Sequence, residues 1–137
     1  MSARQIDKKT LIKVLKEYFS GKEDVVMAFL FGSSSKGTTH LESDVDVAVY
    51  FTKELNDDDE SAIWSDIEKI IGTNVDFIVL NRAFPLIADS ALKGIPIVIK
   101  NRDIYLNFLL KTVSEAIDYR TFVESFWLLK QRRTHGS

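Results

Sequence analysis

Seven apolar residues in succession, Val25 to Phe31, stop at Gly32. A run of that length with no polar break suits a strand buried on both faces. Such a strand needs partner strands beside it and helices above and below. A second run, Asp44 to Phe51, can pair with it, and it opens with carboxylates at alternate positions. In a strand, residues i and i+2 share a face, so Asp44 and Asp46 project together while Val45, Val47 and Val49 project the other way. Between the runs lie Gly32, Ser33, Ser34, Ser35, Lys36 and Gly37, a small-residue turn from which a short helical turn is expected to start.

The flanking segments supply the covering helices. Leu11, Ile12, Leu15, Tyr18 and Phe19 recur at helical spacing, and Gly21 follows as a stop. After an acidic link and helix start at Asn56 to Glu60, Ile63, Trp64, Ile67, Ile70 and Ile71 form one stripe, closed by Gly72 and Asn74. Val75 to Leu80 reads as a third strand carrying one acid, Asp76. A short helix is expected from Pro85 to Leu92, then a brief strand from Ile95 to Lys100, with Pro96 at an edge or strand start. From Asp103 to Gln131 the pattern is helical, as one long helix or as two with a break near Asp118 to Thr121. Arg132 to Ser137 reads as a loose tail. The expected fold is α/β: a single domain spanning residues 1–137, with its core at about 8–132. It has a mixed sheet of about four strands, covering helices and a long C-terminal helical region.

Composition narrows the function. The chain's 137 residues suffice for one domain with a real core. Its 18 basic and 20 acidic side chains leave a net charge of −2, which argues against a nucleic-acid carrier. Cysteine is absent, so disulfides and thiolate metal sites are excluded and the cytoplasm is the simplest location. No leader peptide and no bilayer-length apolar run can be read, so no membrane partner is expected.

Two carboxylates side by side repel unless a cation lies between them. A hard divalent ion such as Mg²⁺ suits oxygen ligands and commonly joins carboxylates to substrate phosphates. Asp76 is either a third ligand, a base for an incoming hydroxyl, or an edge-strand acid facing water. Gly32 lets backbone amides approach a phosphate, and the Ser33 hydroxyl adds a donor. Three look-alikes fall away. Thr38 and Thr39 stand where a P-loop needs its lysine, the EF-hand offsets are missing, and Asp-x-Asp glycosyltransferase domains are generally larger. Trp64 and Trp127 lie on apolar stripes and suit core or interface. His40 suits a solvent-facing loop, and Tyr119 a packed position.

Leu30-Phe31-Gly32-Ser33, then ten residues, then Asp44-Val45-Asp46-Val47-Ala48-Val49 resembles the DNA-polymerase-β-like nucleotidyltransferases. The resemblance extends through Val75-Asp76-Phe77, through Ala83 to Ile87 and through Asp118-Tyr119-Arg120. The small size resembles their minimal subgroup, and the C-terminal half resembles the MntA-type antitoxins that are paired with HEPN ribonuclease toxins. The resemblance implies Asp44, Asp46 and Asp76 as catalytic metal ligands for two Mg²⁺ ions, and Gly32, Ser33 and Lys36 as the holders of ATP phosphates. It further implies AMP transfer to a tyrosine hydroxyl of the HEPN partner, with release of pyrophosphate. Many relatives carry arginines where this chain has Ser34 and Lys36; a lysine meets phosphate as a point charge, without a bidentate fork. Transfer to a small hydroxyl compound, such as an aminoglycoside, and contact inhibition without chemistry are the alternatives.

Overall fold

A computed structural model describes residues 7–32 and 45–135, without the side chains of residues 132–135. The elements follow in the order α1 (Lys8–Ser20), β1 (Val25–Phe31), β2 (Val45–Phe51), α2 (Asp57–Ile71), β3 (Val75–Val79), a 3₁₀ turn (Leu80–Arg82), α3 (Pro85–Leu92), β4 (Ile95–Ile99) and α4 (Arg102–His135). Ser33, Lys36, His40 and Asp44 lie outside the described residues.

The four strands among the described residues form one mixed sheet in the order β3-β2-β1-β4. The unbroken apolar run is internal, as its composition requires: β1 pairs antiparallel with β2 on one side and with β4 on the other. Strand β2 is joined to β3 in parallel, with α2 as the crossover. Pro96 falls on the edge strand β4, where a missing N–H does least harm.

Strand alternation divides the core into two layers. On one face Val45, Val47, Val49, Phe51, Phe77 and Val79 pack with Leu11, Leu15 and Phe19 of α1 and Ile67 and Ile71 of α2. On the other, Met27, Phe29, Ala48 and Ile78 pack with Ala88, Ala91 and Leu92 of α3 and Tyr105, Phe108 and Leu109 of α4. Helix α1 starts where the Asp7 carboxylate accepts the Thr10 N–H at 2.8 Å, a cap that holds its pKa below the usual aspartate range. Tyr18 of α1 donates its hydroxyl to Asp66 of α2 at 2.9 Å, tying the two helices of that layer together.

Three boundaries refine the expectation. Asn56 caps α2 by accepting the Asp59 N–H at 2.7 Å, so Asp57 to Glu60 form the first helical turn rather than a link. Four acids there meet the positive end of the helix dipole. Strand β3 ends at Val79, and Asn81 in the following turn bonds both backbone groups of Phe51, at 2.9 and 2.8 Å. Helix α4 is a single helix that continues to His135, so Arg132 to His135 are helical and not a loose tail. Neither glycine nor proline occurs between Arg102 and His135 to stop it. Among the described residues no helix is long and apolar enough to cross a membrane.

Candidate active site

Gly32 ends β1 with φ at +71°, in the left-handed region that glycine tolerates best. A Cβ at this position would lie 2.1 Å from Asp46 Oδ2. Gly32 and the Asp46 carboxylate are thus in close approach, and only the missing side chain leaves room for it.

Sheet register brings in the second acid. Asp46 is paired across the antiparallel ladder with Phe31 and across the parallel ladder with Asp76. Neighbouring strands run about 4.8 Å apart, so the two carboxylates rise side by side. They share the face that carries Ala48, Tyr50 and Ile78, under α3 and α4. Asp46 is half-buried and Asp76 is exposed. With water around them, two like charges at this spacing repel by about 1 kcal/mol, a cost that a cation between them would reverse. Paired carboxylate oxygens beside a glycine turn fit a hard divalent ion. Among the described residues no cluster of three His, Cys, Asp or Glu side chains is arranged to hold a metal; Asp44 is not among those residues.

Of the expected site residues, the structure therefore brings together Gly32, Asp46 and Asp76. β3 is an edge strand, and Asp76 faces solvent from it. Edge position and nearness to Asp46 coexist.

Two polar side chains of structural weight went unread in the sequence. Asp89 is buried in α3 at 3% exposure, and Arg120 and Lys93 reach it at 3.1 and 3.0 Å. Its signal was a lone acid inside the apolar segment Pro85 to Leu92. Glu68 accepts the Val75 N–H at 2.9 Å, and nothing in its spacing sets it apart from other helix-surface acids. Trp64 is exposed at 39%, yet it packs 6.2 Å from the Phe77 ring and donates its indole N–H to Val75 O at 2.6 Å. Trp127, by contrast, is 57% exposed on α4, together with Phe122, Phe126, Leu128 and Leu129.

Two acids aligned by the sheet beside Gly32 are the kind of donor set that suits a divalent cation and a phosphate. The chain belongs to the Polymerase beta, Nucleotidyltransferase family, whose profile matches residues 13–103. Nucleotidyl transfer is the family's chemistry. Three solved structures are similar in fold. A chain of a mutant MntA–HpeT toxin–antitoxin has a TM-score of 0.72 and 20% identity over 88% of this chain and 95% of its own. One from a toxin–antitoxin with AMP-PNP has 0.70 and 20%, with the same coverage. One from a tri-AMPylated Shewanella oneidensis HEPN toxin in complex with MNT antitoxin has 0.67 and 18%, over 87% and 94%. At these identities the likeness concerns the fold. No curated protein matches.

Proposed function

We propose that this chain is an antitoxin-type protein adenylyltransferase that moves AMP from ATP to a tyrosine hydroxyl of a HEPN ribonuclease partner in the cytoplasm. The observation that carries the reading is the pairing of Asp46 with Asp76 on one sheet face, beside a glycine whose Cβ would collide with Asp46. The likeness to chains of toxin–antitoxin complexes, one of them with a tri-AMPylated HEPN toxin, supports the same reading. So do the exposed apolar side chains of α4, Phe122, Phe126, Trp127, Leu128 and Leu129, which suit a protein partner better than a small acceptor.

In this reading Asp44, Asp46 and Asp76 hold Mg²⁺, which when bound neutralises the phosphate charge of ATP. Gly32 presents backbone to the outgoing phosphates, Ser33 donates its hydroxyl to them, and Lys36 adds a positive charge. Asp76, exposed at the edge, accepts a hydrogen bond from the tyrosine hydroxyl and takes its proton. The phenolic oxygen then bonds to the α-phosphorus in line with the bridging oxygen, whose bond to that phosphorus breaks, and pyrophosphate leaves. The product is an O-adenylylated tyrosine, and the carboxylate proton returns to water.

The test is transfer of labelled AMP from ATP and Mg²⁺ to a HEPN-domain protein encoded beside this chain, with mass mapping of the modified residue. Asp44→Asn combined with Asp46→Asn should abolish labelling while the melting transition persists. Full labelling by that double variant would overturn the metal site. Tight binding without any labelling by the wild type would replace the enzyme with a contact inhibitor.

A further inference from the structure

Among the described residues strand β3 has a neighbour on one side only, so half of its backbone polar groups point out of the sheet. In the parallel ladder Val45 donates to Asn74 O at 3.2 Å, and alternation turns the N–H and C=O of Val75 to the outer edge. Val75 is buried at 2% exposure, so a protein partner must replace water at both groups. Both partners come from α2. Glu68 Oε2 accepts the Val75 N–H at 2.9 Å, and Trp64 Nε1 donates to Val75 O at 2.6 Å. The two side chains are four residues apart, which places them one above the other on a helix. The indole also rests against Phe77, the residue on the far side of Asp76.

This two-point hold falls at the first residue of β3, where a strand frays most readily, and immediately before Asp76. It fixes the backbone that carries Asp76 against the ladder that carries Asp46. Catalytic groups must be held to about 0.5 Å, and a misplacement of about 1 Å can cost roughly 100-fold in rate. We infer that Trp64 and Glu68 are positioning residues that clamp the edge strand so that Asp76 meets the acceptor hydroxyl. The inference rests on the adenylyltransferase reading for what Asp76 does.

The experiment compares Glu68→Ala, Glu68→Gln and Trp64→Phe in the full chain. Glu68→Gln retains an acceptor oxygen, and Trp64→Phe retains the ring against Phe77 while losing its donor. Amide hydrogen exchange is read at Val75 and Asp76 in the free protein, and kcat and KM for ATP are read in AMP transfer. Expected are roughly 10-fold faster exchange at both amides in Glu68→Ala and Trp64→Phe. With it, kcat should fall roughly 10- to 100-fold at a KM for ATP within about twofold of wild type. Glu68→Gln should recover to within roughly threefold, because the hydrogen bond and not the charge makes the clamp. Faster exchange with unchanged kcat would overturn the positioning role, as would Glu68→Gln behaving like Glu68→Ala. A wild type that transfers no AMP would defeat the enzymatic reading, whereas unaltered exchange at Asp76 in the variants would defeat the clamp by itself.

Discussion

Replacing Gly32 with alanine separates a backbone cost from a site cost. At φ +71° an alanine enters the left-handed region, which costs about 1–2 kcal/mol. The new Cβ would also stand 2.1 Å from Asp46 Oδ2 and 3.1 Å from its Cγ, but 3.6 Å from its Cβ. The Asp46 Cβ is at ordinary contact distance, so the carboxylate alone has to move. Turning it off its rotamer adds about 0.5–1.5 kcal/mol, for a total of roughly 1.5–3.5 kcal/mol. For a chain of this size that lowers the melting temperature by roughly 5–10 °C. The same movement takes Asp46 off its position beside Asp76, and AMP transfer should fall about 100-fold or more. A double-mutant cycle isolates the contact, because with Asp46→Ala in place Gly32→Ala meets no carboxylate and costs only the backbone share. Thermal or urea unfolding of the four proteins, with transfer assays on the two that keep Asp46, completes the measurement. An equal cost of Gly32→Ala in both backgrounds, or full activity in a destabilised single variant, would refute the close approach as the reason for glycine.

Two further outcomes follow from the polar contacts between helices. Burial, and then the bond to Asp66, push the Tyr18 phenol well above its ordinary pKa near 10, so the folded state prefers the neutral phenol. Its contribution to stability is whole below about pH 10 and is lost as the pH rises from there toward the raised value. Urea midpoints taken from pH 8 to 11 should therefore fall more steeply for wild type than for Tyr18→Phe, and parallel slopes would contradict this. At the α3–α4 contact, Lys93→Met with Arg120→Met strands the buried Asp89 carboxylate and should cost about 3–5 kcal/mol. Asp89→Ala leaves two solvent-facing cations instead and should cost clearly less by the same unfolding assay; equal losses would mean that the pairs contribute little.

Much of the architecture could be read from local pattern because local physics decides it. Val25 to Phe31 has no polar face, and it became the doubly covered strand. Asp7 and Asn56 cap helices, and Gly72 with φ +82° closes α2, through bonds that span only three or four residues. Arg132 to His135 continue α4 where a loose terminus is expected, because a helix ends where glycine, proline or a cap ends it. Trp127 shows the reverse limit: helical spacing assigned it to an apolar stripe, but a stripe does not say whether anything lies across from it.

The candidate site divides along the same line. Alternation within one strand is local, so Asp46 and its place on a face were determined by the sequence itself, as was the glycine turn before it. Which strands are neighbours, and in what register, is set by the packing of distant segments. Only that packing brought Asp76 level with Asp46, left its strand at the sheet edge, and set Glu68 and Trp64 against Val75. A residue's own neighbours in the chain specify its conformation and facing. Its partners across the sheet depend on how the apolar faces are buried together, and no short stretch of sequence contains that information.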